Sequence, residues 1–260
     1  MNNSYILILN NHPLIGLAAI PFLKKYDGKI VRIVGTGQGA FSAGLIASGR
    51  AIAEIEEALL AFWKMDAYDQ TNYLGFLDFY LKKPGFFRPD RALYHPFHKK
   101  EFFRSYFDDL RMEELPIPLS INTTDLFTSE SYLISSGNIV QAVYASSAWF
   151  PMHPPEHIQG RLLANGAFSR IEVSEINTDG TKLVDISIYD PYFFEESSSP
   201  ALTCSFFDRS FLYIDQSIDQ LRGFTPDVEI ALRLESSIPR KKASLKDFYA
   251  IEKLAEKLLD

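Results

Sequence analysis

The feature that most constrains this fold is a glycine-rich turn between an apolar strand and a helix of small residues. Residues 29–49 read KIVRIVGTGQGAFSAGLIASG, and the β-branched run at their start is typical of a buried strand. The turn consists of Gly35, Thr36, Gly37, Gln38 and Gly39. The small residues at 40–47 predict a helix that lies close against a sheet. A strand, tight turn and helix in this order indicate a layered α/β fold.

Two kinds of site begin with this arrangement. Gly35, Gly37 and Ala40 fit the G-x-G-x-x-[GA] loop that binds a dinucleotide at the start of a helix. Such a loop needs a second strand that ends in an acidic residue about 20 positions later. Glu54 and Glu56 lie at that separation, but they belong to AIAEIEEALLAF, which has helical periodicity and no preceding strand. The sequence therefore favours the other kind, a nucleophile elbow of the G-x-S-x-G type with glycine at its centre.

Composition narrows the class of protein. The chain has 260 residues and a net charge of -7, which argues against a nucleic-acid-binding surface, and the basic run at 240–242 is typical of a solvated turn. Cys204 is the only cysteine, so a disulfide framework and a cysteine-rich zinc site are excluded. The apolar run at residues 5–9 is too short for a signal peptide, and no segment has the length of a membrane helix. We therefore expect a cytoplasmic protein without a transmembrane segment.

Apolar periodicity predicts one domain over residues 1–260, in which strands alternate with helices. The predicted strands are 5–9, 29–34, 119–123, 132–135, 161–163, 183–189 and 227–232. A first helix is predicted to begin near Ala19, which keeps Pro21 in its first turn, and to end at Lys25. Further helices are predicted at 40–48, 52–62, 138–145 and 244–259. The last of these opens with a capping-box pair, Ser244 and Asp247.

Residues 62–110 form an aromatic-rich insertion in this pattern. Fifteen aromatic residues occur between Phe62 and Phe107, and Pro84, Pro89 and Pro96 interrupt them. The favoured interpretation is an irregular subdomain with its own aromatic core. A lid over a pocket, or a surface for a protein partner or an oligomer, remains the alternative for residues 62–107.

Several ordered segments carry a more specific pattern than the glycine turn alone. AFSAGLIASG follows the turn, and PLSINTTDL spans residues 118–126. SSGNIVQAVYASSAWFPMHPP spans residues 135–155, GRLLANGAF spans 160–168, and DVEIALRL precedes the last helix. Together they resemble the patatin-like phospholipase (patatin-like acyl hydrolase) family along almost the whole chain. The resemblance implies a three-layer patatin-like α/β fold: a central, mostly parallel sheet, helices on both faces and an aromatic-rich helical insertion.

The same resemblance implies an acyl hydrolase site, but its chemistry is altered here. Members of the family use a serine nucleophile, an aspartate base and a glycine-rich loop whose N–H groups hold the oxyanion. In this chain the nucleophile position is Gly37 and the base position is Asn165, whose amide is not a usable base near neutral pH. The oxyanion-loop position holds Asn11, His12, Pro13, Leu14, Ile15 and Gly16.

These three changes predict a pseudoenzyme that binds a lipid, an acyl group or a protein partner. The alternative is an active lipid acyl hydrolase with displaced machinery, in which Ser42 or His12 would take over. A weaker alternative is dinucleotide binding through Gly35 and Gly37. No cofactor is expected, because the acidic strand end that a dinucleotide loop needs is absent from the pattern. No metal is expected, because Pro154 and Pro155 disrupt the helix that the zinc-protease pattern HPPEH would need.

Overall fold

The computed structural model describes residues 4–26, 28–65, 72–75, 92–169, 171, 176, 180–190, 225–236, 238 and 242–259. Within them, eight strands form a single mixed sheet. The strands are β1 (Ser4–Leu9), β2 (Ile30–Thr36), β3 (Leu119–Asp125), β4 (Ser131–Ile134), β5 (Glu156–Ile158), β6 (Arg161–Asn165), β7 (Thr181–Tyr189) and β8 (Val228–Arg233). The helices are α1 (Ile15–Lys25), α2 (Gly39–Ala47), α3 (Ile52–Lys64), α4 (Phe97–Phe107), α5 (Ile139–Ser147) and α6 (Leu245–Leu259).

The sheet is parallel over its larger part and antiparallel around β3. Its order is β5-β6-β3-β2-β1-β7-β8, with β4 paired to β3 outside this path. The pairs β3–β2, β2–β1, β1–β7 and β7–β8 are parallel, whereas β4 and β6 run antiparallel to β3. The mostly parallel α/β sheet predicted from the sequence is therefore confirmed.

One edge of β3 brings two strand ends together. Thr123 pairs with β4 on one edge and with Asn165 of β6 on the other. Asn122 also pairs with β4 on the first edge, and with Thr36 of β2 on the second. The carboxyl ends of β2 and β6 therefore meet on the same edge of β3, opposite adjacent residues. The candidate site lies at this meeting point.

The two faces of the sheet bury separate clusters. Alternate residues of β1 point to opposite faces, so Leu7 and Leu9 join the main core while Ile6 and Ile8 join a smaller cluster with Ile171. Each of the six named helices buries side chains in the main core. The sheet is thus flanked by helices, as the predicted layered α/β fold requires.

The aromatic insertion is described only in part, because residues 66–71 and 76–91 lie outside the described residues. Five of its described rings belong to the main core rather than to a core of their own, which corrects that interpretation for these five. They surround Phe41 of α2, with ring centroids 4.9–5.7 Å away. These rings are Phe62, Phe102, Phe103, Tyr106 and Phe107. Phe97 on the same insertion is exposed.

The structure corrects the predicted elements at three places. Helix α1 begins at Ile15 rather than near Ala19, so Pro21 lies inside it. Helix α4 and strand β5 were not predicted, the former because an aromatic run between prolines hides its helical period. The remaining predicted strands and helices are confirmed with shifts of a few residues at their ends, and Asp247 accepts both the N–H and the hydroxyl of Ser244, as the capping pair requires.

Removal of the central ring should show how much the aromatic cluster stabilises the fold. Phe41→Ala should lower the free energy of unfolding by about 3–5 kcal/mol, since a buried ring is lost and a cavity remains. Phe97→Ala removes an exposed ring from the same insertion and should change it by less than about 0.5 kcal/mol. Urea unfolding of both variants measures the difference. Equal losses in the two variants would contradict this account of the core.

Candidate functional site

A hydrogen bond with helix α5 holds the glycine turn in place. Gly37 follows the end of β2 with a left-handed backbone, φ +58°, and α2 begins two residues later. The N–H of Gly37 donates to Ser146 Oγ at 2.9 Å, and this hydroxyl donates to the carbonyl of Asn122 at 2.6 Å. One serine of α5 therefore fixes the turn to strand β3.

Asn165 lies beside this turn at the end of β6. Its side chain is fully buried, and its N–H donates to the carbonyl of Ala148 at 3.0 Å. The Oδ1 atom accepts the N–H of Ala167 at 2.8 Å, whereas Nδ2 has no hydrogen-bond partner within the described parts of the chain. The fold thus brings Gly37 and Asn165, the two dyad positions of the sequence comparison, to one place.

The side chain of Asn11 fills the space next to Gly37. A Cβ atom added to Gly37 would lie only 2.5 Å from Asn11 Cγ and closer still to Oδ1. Asn11 Oδ1 also accepts the N–H of Gln38, the residue before α2, at 2.8 Å. A side chain at position 37 and the present position of Asn11 therefore exclude each other. The helix N–H that faces this space is already used within the chain.

The loop at residues 11–16 directs its N–H groups into its own structure. The N–H of His12 donates to the Asn10 carbonyl, and that of Ile15 donates to the His12 carbonyl. The N–H of Leu14 donates to His12 Nδ1 at 3.1 Å. Pro13 has no N–H. The loop is held by side chains, among them Asn10, whose Nδ2 donates to Asp185 at 2.8 Å.

His12 is built into this loop rather than aimed at an open site. It is buried, and because Nδ1 accepts an N–H, the proton of the neutral ring belongs on Nε2. Nε2 lies 3.5 Å from a carboxylate oxygen of Asp190, which is also buried. The ring stacks on Trp63 with centroids 6.1 Å apart. Nδ1 is therefore engaged within the loop and is not offered to a substrate.

Ser42 joins two helices. Its Oγ accepts the N–H of Gly16 at 3.2 Å, and the side chain is fully buried in α2. Leu59 of α3 lies against Gly16 at the same point. This contact satisfies an N–H at the start of α1 that would otherwise be buried without a partner. The geometry gives Ser42 a packing role in the fold.

The surroundings of the glycine turn do not favour the dinucleotide hypothesis. A Cβ atom added to Gly39 would lie 2.9 Å from the Leu9 carbonyl oxygen and closer to that of Asn10, so the chain after β1 covers the turn. Glu54 lies in the first turn of α3, where its carboxylate accepts the N–H of Ala51. The acidic residue is therefore a helix cap and not the end of a second strand.

The histidines of HPPEH do not form a metal site. His153 lies in a buried turn and His157 lies in strand β5, so the two do not share a helix face. No cluster of three or more potential metal ligands occurs in the described portion of the chain. None of the helices described is long and apolar enough to cross a membrane.

Lys99 is a buried residue near the site that the sequence analysis missed. It lies on the buried stripe of α4 with Phe103 and Phe107, and only 5% of it is exposed. Its Nζ donates to the carbonyl of Ser147, the last residue of α5, at 2.6 Å. Burial lowers the pKa of Lys99 from 10.5 to about 7. The sequence signal for Lys99 was its helical spacing, because it lies four residues before Phe103 and eight before Phe107.

The fold and the site can now be compared with known proteins. A family model described as "Patatin-like phospholipase" matches residues 14–171, more than half of the chain and a span that includes Gly37 and Asn165. The chain belongs to the patatin-like phospholipase family. This family membership agrees with the mostly parallel sheet and with the turn after β2.

Individual relatives are distant. Uncharacterized NTE family proteins of Mycobacterium bovis and of Mycobacterium tuberculosis are 27% identical over 175 residues. The match covers 66% of this chain and 45% of each relative, so the chain spans less than half of their length. Among solved structures, VipD from Legionella pneumophila matches 99% of this chain and 67% of its own, with a TM-score of 0.50 and 12% identity. This likeness supports the fold.

A double-mutant cycle tests the contact between Asn11 and residue 37. Gly37→Ser should lower the free energy of unfolding by about 2–4 kcal/mol, because overpacking against Asn11 adds to the cost of a left-handed non-glycine residue. Asn11→Gly in the same chain should recover the overpacking part. Gly28→Ser is the control, since Gly28 has φ +70° and nothing within 4 Å of an added Cβ. The clash is disproved if Gly37→Ser and Gly28→Ser cost the same.

The lowered pKa of Lys99 predicts how stability depends on pH. Below pH 7 the folded and unfolded chains both hold the proton, so burial of the ammonium destabilises the fold in full. Between pH 7 and 10.5 the unfolded chain holds more protons, so this destabilisation declines as pH rises. Lys99→Met should therefore stabilise the protein by about 1–4 kcal/mol at pH 6, and by less at pH 9.5. Urea unfolding at both values tests this, and a difference that does not change with pH would refute it.

Proposed function

We propose that this member of the patatin-like phospholipase family is a pseudoenzyme that binds a lipid or an acyl group without hydrolysing it. The observation that carries the proposal is the position of Asn11, whose amide occupies the space into which a side chain at residue 37 would project. The ligand class is inferred from the family, and the absence of hydrolysis is inferred from the residues at positions 37 and 165.

Ester hydrolysis through a serine–aspartate dyad needs an O–H group to attack the carbonyl and a carboxylate to take its proton. Gly37 has no side chain, and Asn165 presents an amide whose oxygen already accepts an N–H. Loss of one member of such a nucleophilic unit costs on the order of 10⁴–10⁶-fold in turnover. Both members are replaced here, so the proposal does not depend on either change alone.

The oxyanion position argues in the same direction. Stabilisation of a tetrahedral intermediate requires N–H donors that point at the developing charge. The N–H groups of His12, Leu14 and Ile15 are bonded within their own loop, and the N–H of Gln38 is bonded to Asn11. A substrate carbonyl would have to displace these contacts before it gained any stabilisation.

The contacts of the two candidate substitutes do not favour a displaced hydrolase. Ser42 Oγ accepts the N–H of Gly16 and forms no hydrogen bond with a histidine in the described parts of the chain, while His12 uses Nδ1 inside the loop. A nucleophile needs an adjacent base with a free lone pair to become reactive at neutral pH. This second hypothesis therefore predicts activity that is lost in Ser42→Ala or His12→Ala, which gives a direct way to decide between the two.

Hydrolysis and binding should be measured separately. We expect no release of p-nitrophenol from p-nitrophenyl butyrate above the blank, with a catalytically intact patatin as the positive control. A pyrene-labelled acyl methyl ester, which is uncharged, should bind and be recovered intact. Turnover that survives purification and disappears in Ser42→Ala would overturn the pseudoenzyme proposal. Failure of the probe to bind would overturn the lipid-binding part.

A rebuilt dyad offers a stricter test of the loop. The triple variant Asn11→Gly, Gly37→Ser and Asn165→Asp restores the space, the nucleophile and the base. We expect it to fold and to remain nearly inactive, because loss of even one oxyanion donor costs about 10²–10³-fold in rate. Activity close to that of the intact patatin would show that the loop at residues 11–16 can still hold an oxyanion.

A further inference from the structure

The carboxyl end of α5 connects three parts of the site through three consecutive residues. Ser146 binds the N–H of Gly37, the Ser147 carbonyl binds Lys99 Nζ, and the Ala148 carbonyl binds the N–H of Asn165. We name Ser146, Ser147 and Ala148 the α5 corner. Lys99 Nζ and the main-chain N–H of Asn165 are thus bonded to adjacent carbonyls of this corner.

Both residues keep hydrogen-bond donors that no acceptor in the described parts of the chain uses. The ammonium of Lys99 has three N–H groups, and the Ser147 carbonyl is its one acceptor among the residues in the described ranges. Asn165 Nδ2 carries two more N–H groups, and no acceptor for them is found there either. Buried donors without acceptors destabilise a fold, so a cluster of them at one corner calls for an acceptor from outside the chain.

The ammonium that Lys99 carries below its pKa of about 7 has no counter-charge among the described residues. No carboxylate of the described segments forms an ion pair with Lys99, and position 165 carries a neutral amide. The partial negative charge at the end of α5 is the favourable field that the structure supplies. Lys100, the next residue, is different: its Nζ pairs with Glu156 at 2.6 Å and lies 4.6 Å from the Tyr144 ring centroid. Two adjacent lysines thus differ in whether an anion of the protein satisfies them.

We propose that the α5 corner is an anion-binding site, in which Lys99 and Asn165 hold the carboxylate or phosphate group of a ligand. An ammonium forms short, charge-assisted hydrogen bonds with either group, and a primary amide can donate to a second oxygen of the same group. The inference rests on the proposed lipid-binding function and adds to it the charged end of the ligand. An aspartate at position 165 would repel such a group, whereas asparagine attracts it.

The test compares anions with and without an acyl chain. Inorganic phosphate, acetate and decanoate are titrated at constant ionic strength, and binding is followed by calorimetry and by the melting temperature. Decanoate that binds when acetate and phosphate do not would assign the site to an acyl carboxylate. Phosphate that binds alone would assign it to a phosphate group. Both results support the proposal, and absence of binding by all three overturns it.

Matched lysine variants locate the binding. Lys99→Met should weaken binding of the responding anion by about tenfold or more, and Lys100→Met should leave it within about twofold, because Lys100 already has Glu156 as its partner. Lys99→Gln keeps a donor for the Ser147 carbonyl but removes the charge. It should weaken binding of the same anion by about tenfold or more, as Lys99→Met does. Equal binding by the wild type and both Lys99 variants overturns the proposal.

The uncharged pyrene-labelled ester separates this proposal from the proposed function. Its binding does not require an anion site. If the ester binds but no anion does, the lipid-binding function stands and the anion site is wrong. If the ester does not bind but an anion does, the opposite holds.

Discussion

The hydroxyl of Ser146 is the contact on which the arrangement of the site depends. It accepts the N–H of Gly37 and donates to the carbonyl of Asn122, so a single side chain joins helix, turn and sheet. The carboxyl ends of β2 and β6 meet on one edge of β3, and this hydroxyl lies beside their meeting point. Gly37 and Asn165, the predicted dyad positions, are brought together by backbone pairing and not by the side chains they carry. The fold therefore does not by itself establish the chemistry of the site, and the two must be argued separately.

The sheet and the family were predictable because their signals are local and repeated. Continuous apolar runs such as residues 5–9 indicate parallel strands covered on both faces, and ordered segments around Gly37 and Asn165 point to one family. The pairing of β6 with β3 is what places Asn165 next to the turn, and that contact joins residues far apart in sequence. The proximity of Asn165 and Gly37 was implied only by the resemblance to the family. The strand pairing that produces it was not predicted, since no periodicity in the chain reports it.

Other features depend on contacts that a sequence does not display. Helix α1 begins before its predicted start because Ser42 satisfies the N–H of Gly16 and because nearly all of the helix before Lys24 is buried, which outweighs the local preference of Pro21 for a first turn. The position of the Asn11 side chain could not be predicted, because asparagine is common in loops. Its importance comes from the fact that Gly37 has no Cβ, which leaves space for the Asn11 amide. Lys99 was hidden in an aromatic run that was not assigned a helix.

Asn11 and Gly37 impose an order on the mutations by which relatives of this chain can be connected. A side chain at position 37 requires that position 11 first become small or turn away, whereas position 11 can change while glycine remains. The order in which the two positions change therefore matters for stability. A random library that varies position 37 alone would favour glycine, and would make the turn look less tolerant of change than it is. The same library with position 11 varied as well would reveal which side chains the turn itself accepts.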